Sequence, residues 1–181
     1  MNIFVGCSSR DVTDNVKWSR YCTATLEVTK FITAHKHTLV FGGCARGLMG
    51  LMYKCMLLNK ANIIVAIPQA YINDAEELFY SNLFDFNTVS ERKDWIFKNT
   101  SMHIFLPGGI GTIDELFSSI EAKRCGEHNS PIIIINEQGY FNDVLHVLAR
   151  IYDEGFADEK DAKLYTCLLY TSPSPRDTER S

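Results

Sequence analysis

A chain of 181 residues with 46% apolar and 22% charged residues has the composition of one globular domain with a substantial core, not of a disordered segment or of two domains. Lys and Arg number 18 against 22 Asp and Glu, and the formal charge of −4 argues against a broad basic surface for nucleic acid. No apolar run nears the roughly 20 residues of a membrane helix, Met1 to Cys7 lacks the pattern of a signal peptide, and the 6 cysteines include no C-x-x-C pair for zinc or a disulfide framework, so a reducing cytoplasm is expected.

Short apolar runs fit buried strands at Ile3 to Gly6, Thr38 to Phe41, Ile63 to Ile67, Leu83 to Phe86, His103 to Leu106 and Ile132 to Ile135. Helical patterns lie between them. In Asn15 to Ala34, Trp18, Cys22, Leu26 and Phe31 fall on roughly one side, which predicts the buried face. Leu48 to Leu58 is apolar nearly all round and is expected to be buried. Ser90-Glu91-Arg92-Lys93 begins a helix, with Ser90 as its candidate cap. Ile113, Leu116, Phe117 and Ile120 recur at helical spacing, as do Phe141, Val144, Leu145, Leu148, Ile151 and Tyr152. The alternation predicts an α/β fold, a Rossmann-like doubly wound parallel sheet with helices on both faces, in a single domain over residues 1–166. Residues 167–181 begin CLLYTSPSPRD, which resembles the translated read-through of a sequencing adaptor, and are set apart as a non-native tail.

Ligands of such sheets bind at the carboxyl ends of the strands, so the loops leaving strands come first. In Gly6-Cys7-Ser8-Ser9, Ser8 is a candidate donor to phosphate oxygens, and a plain turn is the alternative. In the segment from Phe41 to Gly50, the pair Gly42-Gly43 permits positive φ and close approach, which makes Gly43 a candidate ligand contact; close packing of a helix on the sheet explains it equally well. This segment matches neither G-x-G-x-x-G nor the Walker pattern, so nicotinamide cofactors and nucleoside triphosphates lose support. From Leu106 to Glu115, Gly108, Gly109 and Gly111 expose backbone N–H groups where a helix opens, a natural site for a phosphate monoester. Thr112 and Glu115 have the spacing of a capping box, the reading that spacing alone favours; the same carboxylate, kept ionised by the helix dipole, could instead orient water beside a bound phosphate ester. Arg92 and Lys93 oppose the dipole of their helix, a cost that an anionic ligand would relieve and that a solvated face would leave. His35 and His37 read as surface residues near a helix end rather than as metal ligands, and His103, His128 and His146 as isolated.

Together these elements resemble the Lonely Guy family, the cytokinin riboside 5′-monophosphate phosphoribohydrolases, also labelled lysine decarboxylase-like. The signature P-G-G-x-G-T-x-x-E is matched from Pro107 to Glu115, an upstream Arg-Lys pair by Arg92 and Lys93, G-G-x-x-x-G-L-M-G from Gly42 to Gly50, and a closing element by Asn136, Gly139 and Tyr140. The resemblance implies hydrolysis of the N-glycosidic bond of a purine nucleoside 5′-monophosphate, N6-modified or not, to free base and ribose 5-phosphate, with no cofactor and no metal. It implies Arg92 and Glu115 as the catalytic pair. It implies Gly108, Gly109, Ile110, Gly111 and Thr112 as substrate-binding, Lys93 as a substrate contact, an acidic contact from Asp74, Glu76 or Glu77, and a cytoplasmic homodimer. Asp114, beside Glu115 in sequence, is expected to point elsewhere on the helix. The chain departs from the family at Val89 and Ser90 (usually Met-His), at Ile110 (usually aromatic) and at Cys44 (often glycine), which bears on the base pocket more than on the chemistry. The competing expectations are a general nucleotide 5′-monophosphate nucleosidase and a non-catalytic carrier of a phosphorylated cofactor such as molybdenum cofactor. A carrier needs only the phosphate loop. A decarboxylase would need a Schiff-base lysine, and no lysine here has a distinctive setting.

Overall fold

The short β-branched runs lie side by side in the computed structural model, which describes residues 1–169. Strands β1 (Asn2–Gly6), β2 (Thr38–Phe41), β3 (Ile63–Pro68), β4 (Asn82–Phe86), β5 (Met102–Phe105), β6 (Ile132–Ile135) and β7 (Tyr165–Leu168) form one parallel sheet in the order β4-β3-β2-β1-β5-β6-β7. Helices α1 (Asn15–Ala34), α2 (Gly47–Leu58), α3 (Val89–Asn99), α4 (Ile110–Arg124) and α5 (Asn142–Asp153) connect them. Alternation along β1 divides the core. Ile3 and Val5 join Val28 and Ile32 of α1 and Leu48, Met52 and Met56 of α2, while Phe4 faces Ile96 of α3, Leu116 and Ile120 of α4 and Leu148 of α5. The strand order reverses between β1 and β5, so the loops leaving these two strands diverge and open a crevice between them. No helix among the described residues is long and apolar enough to cross a membrane.

Two expectations need correction. The face of α1 marked by Trp18, Cys22, Leu26 and Phe31 is not the buried one; Tyr21, Ala24, Thr25, Val28, Thr29 and Ile32 are buried, and Leu26 and Phe31 are exposed. The buried threonines explain the shift. Thr25 Oγ1 donates to the Tyr21 carbonyl and Thr29 Oγ1 to the Thr25 carbonyl, each at 2.8 Å, so both hydroxyls are satisfied within the helix and their methyls join the core. In α2 the last turn emerges from the core, leaving Leu58 exposed. The boundary expected after residue 166 falls inside β7, where Cys167 and Leu168 pair with Ile134 and Ile135. Residues 170–181, the remainder of the expected tail, lie outside the described residues.

Candidate active site

Three loops from neighbouring strands are tied together over the crevice. The Ser8 N–H donates to the Pro107 carbonyl (3.1 Å), and the Ser8 carbonyl accepts from the Met49 N–H (3.0 Å). The Ser8 hydroxyl is spent within its own turn, accepting from the Arg10 N–H at 3.0 Å and donating to the Arg10 carbonyl at 2.6 Å. Ser8 therefore lines the site as a loop-fastening residue. The second glycine segment is explained by packing. Gly43 has φ +76°, and a Cβ on it would lie 2.6 Å from Val65 Cγ1; at Gly47, φ is +62° and a Cβ would meet the Ser8 carbonyl oxygen at 2.6 Å. Gly43 points into the core between β2 and β3 and is absent from the cavity wall, whereas Gly42 lines it.

The third loop delivers the helix start that its glycines predict, with a different cap. Gly109, not Thr112, is the N-cap of α4, and no side chain among the described residues caps its start. The N–H groups of the first turn thus lack intrahelical and side-chain partners and lie at the positive end of a 15-residue helix. Nothing stands within 4 Å of where side chains would begin at Gly109 and Gly111. Thr112 is buried beneath Gly108, and Ile110 is 91% exposed at the rim. Tyr140, which sequence reasoning quoted without a role, donates its hydroxyl to the Gly108 carbonyl, and its ring stands edge-on to Tyr21 at 5.9 Å. The closing Gly139-Tyr140 pair was the available signal.

Freed from capping, Glu115 turns inward. It is 7% exposed and receives Arg92 Nη1 on Oε1 at 2.5 Å; Arg92, 6% exposed, also donates Nε to the Ala66 carbonyl at 2.6 Å. Arg92 reaches this point from α3, whose cap is Thr88 rather than Ser90. The Glu91 N–H donates to Thr88 Oγ1 (3.1 Å), and the Thr88 N–H donates to Glu91 Oε2 (3.3 Å). Gly6 makes room for the pair: a Cβ there would lie 3.0 Å from Glu115 Oε2. Burial pushes the neighbouring Cys7 thiol up, and the Glu115 charge and Cys44 add to the effect. The two cations on α3 are paired with carboxylates of α4. Arg92 pairs with Glu115, and Lys93 Nζ donates to both oxygens of Asp114 and to Ser118 Oγ, each at 2.9 Å. Lys93 is absent from the cavity wall, while Asp114, expected to face away, is part of it.

These groups line an open cavity of about 1150 Å³ at the carboxyl edge of the sheet. Its wall includes Gly108, Gly109, Gly111 and Thr112, the Arg92 and Glu115 side chains, and the apolar or aromatic Trp18, Met49, Pro68, Tyr71 and Val89. Of the three acidic candidates upstream, Asp74 lines the cavity, 3.7 Å from Arg46 Nη2, and Glu76 and Glu77 do not. Among the described residues no group of three or more His, Cys, Asp or Glu side chains is placed to hold a metal ion.

A family model described as possible lysine decarboxylase matches residues 49–172. A protein of Arabidopsis thaliana named a probable cytokinin riboside 5′-monophosphate phosphoribohydrolase is 30% identical over 158 residues, 86% of this chain and 76% of that protein. The chain belongs to the Lonely Guy family. A further Lonely Guy relative, a probable enzyme of the same name from Oryza sativa subsp. japonica, is 34% identical over 141 residues; the match takes in 76% of this chain and 60% of that protein. The chain thus spans less than two thirds of that relative's length. The molybdenum cofactor (Moco) carrier protein of Chlamydomonas reinhardtii superposes with a TM-score of 0.64 at 17% identity, covering 93% of this chain and 88% of that one. DNA processing protein A of Helicobacter pylori gives 0.55 at 10% identity. These two structures share the fold with this Lonely Guy chain.

Proposed function

We propose that the chain hydrolyses the N-glycosidic bond of a purine nucleoside 5′-monophosphate, releasing the free base and ribose 5-phosphate. The buried Arg92–Glu115 pair beside the uncapped start of α4 carries this reading. The N–H groups of Ile110, Gly111 and Thr112 receive the 5′-phosphate, whose charge suits the helix end. Anchoring the phosphate there brings the anomeric carbon toward Glu115. The C1′–N bond breaks with its electron pair going to the base, and positive charge grows on the ribose. The carboxylate stabilises that charge and accepts a proton from the water whose oxygen bonds to C1′; the departing nitrogen of the base takes up a proton from solvent and Glu115 returns its own, so that water is added across the C1′–N bond. Arg92 holds Glu115 Oε1, and Glu115 is itself part of the cavity wall. The apolar and aromatic wall of Trp18, Met49, Tyr71 and Val89 suits a flat base, with Asp74 placed to meet its polar edge. The names of the relatives support an N6-modified purine as the substrate. A carrier of a phosphorylated cofactor would use the helix start and leave the buried ion pair without a task.

The test is release of free base from AMP, GMP, CMP and isopentenyladenosine monophosphate, followed by chromatography, with Glu115→Gln and Arg92→Ala beside the parent. Release by the parent and by neither variant is expected. A folded parent that binds ribose 5-phosphate and releases no base rejects the hydrolase and leaves the carrier. The same reading includes a homodimer. The apolar groove of Ile110, Ile113, Phe117 and Tyr140 beside the cavity supports it, and light scattering that finds only monomer rejects it.

A further inference from the structure

Lys93 is absent from the cavity wall, yet its ammonium makes three contacts, each at 2.9 Å. Its side chain is largely buried between α3 and α4. Its partner stands in an awkward place. Asp114 follows Ile110 by four residues and Gly111 by three, which sets its side chain on the same face of α4 as those positions, about one turn from the open N–H groups. It lines the same cavity. An unscreened carboxylate there would repel the anion that the helix start attracts. Resting on the proposed phosphate site, we infer that Lys93 is a positioning residue for affinity: it screens Asp114 so that the start of α4 presents a neutral rim to a phosphate dianion, and it touches no substrate.

The inference separates from a simple clamp between two helices. A clamp lost with Lys93 stays lost whatever stands at position 114. A screen becomes unnecessary once the charge behind it is gone. Its effect must also depend on the charge of the ligand and fade with salt, because Asp114 and the exposed start of α4 face solvent.

Ribose 5-phosphate is the probe, since it carries the dianion and has no base to lose, and ribose is its uncharged control. Titration calorimetry at low ionic strength should find Kd for ribose 5-phosphate raised roughly three- to tenfold in Lys93→Ala. It should fall below the parent value in Asp114→Asn, and return to within about twofold of the parent in the double variant. At about 1 M salt, where the Debye length is about 3 Å, the differences should collapse. Thermal melts of each variant confirm folding. A Lys93→Ala defect that Asp114→Asn does not rescue, that appears equally for ribose, or that survives high salt overturns the screen. A parent that binds ribose 5-phosphate and shows this pattern while releasing no base from any nucleotide keeps the screen and loses the hydrolase. A parent that binds no ribose 5-phosphate loses both.

Discussion

Arg92 and Glu115 stabilise the fold only as a pair, because each would be a buried charge alone. Arg92→Ala leaves the carboxylate uncompensated, and a loss of about 3–5 kcal/mol is expected. For a chain of this size that is on the order of 10 °C in a thermal melt. Replacing both, Arg92→Met with Glu115→Leu, removes the buried charges together and should restore most of that midpoint while base release stays absent. A double variant as unstable as Arg92→Ala would show that the ion pair supports the fold itself. Tyr140 makes a milder case. Its hydroxyl holds the Gly108 carbonyl, and that bond keeps one carbonyl oxygen of the loop from turning toward an anion. Tyr140→Phe should therefore weaken ribose 5-phosphate binding about two- to tenfold, the value of one neutral hydrogen bond, with the melting point nearly kept. Unchanged affinity would assign the contact to packing alone.

At the scale of elements, helix and strand positions were legible where one period dominates. Asn15–Ala34 and Ile132–Ile135 coincide with the expected spans because Asp14 caps one and four consecutive isoleucines make the other. Faces and caps were harder. Thr-x-x-Glu occurs twice, at Thr88 and at Thr112, and spacing cannot tell the two apart; the second is preceded by Gly108-Gly109, which start the helix three residues early and turn Glu115 inward. Strand β7 was hidden because its second half, Cys167 and Leu168, opens the segment of foreign appearance, yet its backbone pairs along β6. Two of the three histidines judged isolated, His103 and His128, also meet in space. His103 lies between Ser119 Oγ (2.7 Å) and Thr100 Oγ1 (2.8 Å), with the His128 ring 4.7 Å away, where β5 packs on α4. Burial, helped by the charges of His128 and Lys123, holds its pKa down to about 3. Below the unfolded value near 6.5 the unfolded chain takes the proton and the folded chain does not. The contribution of this residue is therefore complete above pH 6.5 and is lost between 6.5 and 3, at up to about 1.4 kcal/mol per pH unit. Urea midpoints at pH 7, 6 and 5 should fall in that order, and His103→Gln should flatten the slope; an unchanged slope removes His103 as its source.

At the scale of the whole molecule, the sheet ends in β4 on one side and β7 on the other. β7 covers the backbone edge of β6, the strongly apolar run Ile132 to Ile135. Ending the chain after residue 163 should uncover that edge. Soluble yield and melting temperature are expected to drop, with light scattering rising on concentration; a truncated chain that stays soluble and equally stable would show that β7 is dispensable.

The reversal of strand order has a second consequence, for synthesis. β1 leaves the ribosome first, and β2, β3 and β4 can join it on one side as they emerge. Its other neighbour, β5, follows roughly 100 residues later, a delay of about 5–20 s at ordinary translation rates. During that interval the middle of the finished sheet is the raw rim of the growing one. The nascent chain is therefore most adhesive at β1, and a ribosome halted just short of Met102 would present this strand, with Ile3 and Val5 on it, to any chaperone or neighbouring chain able to add a strand.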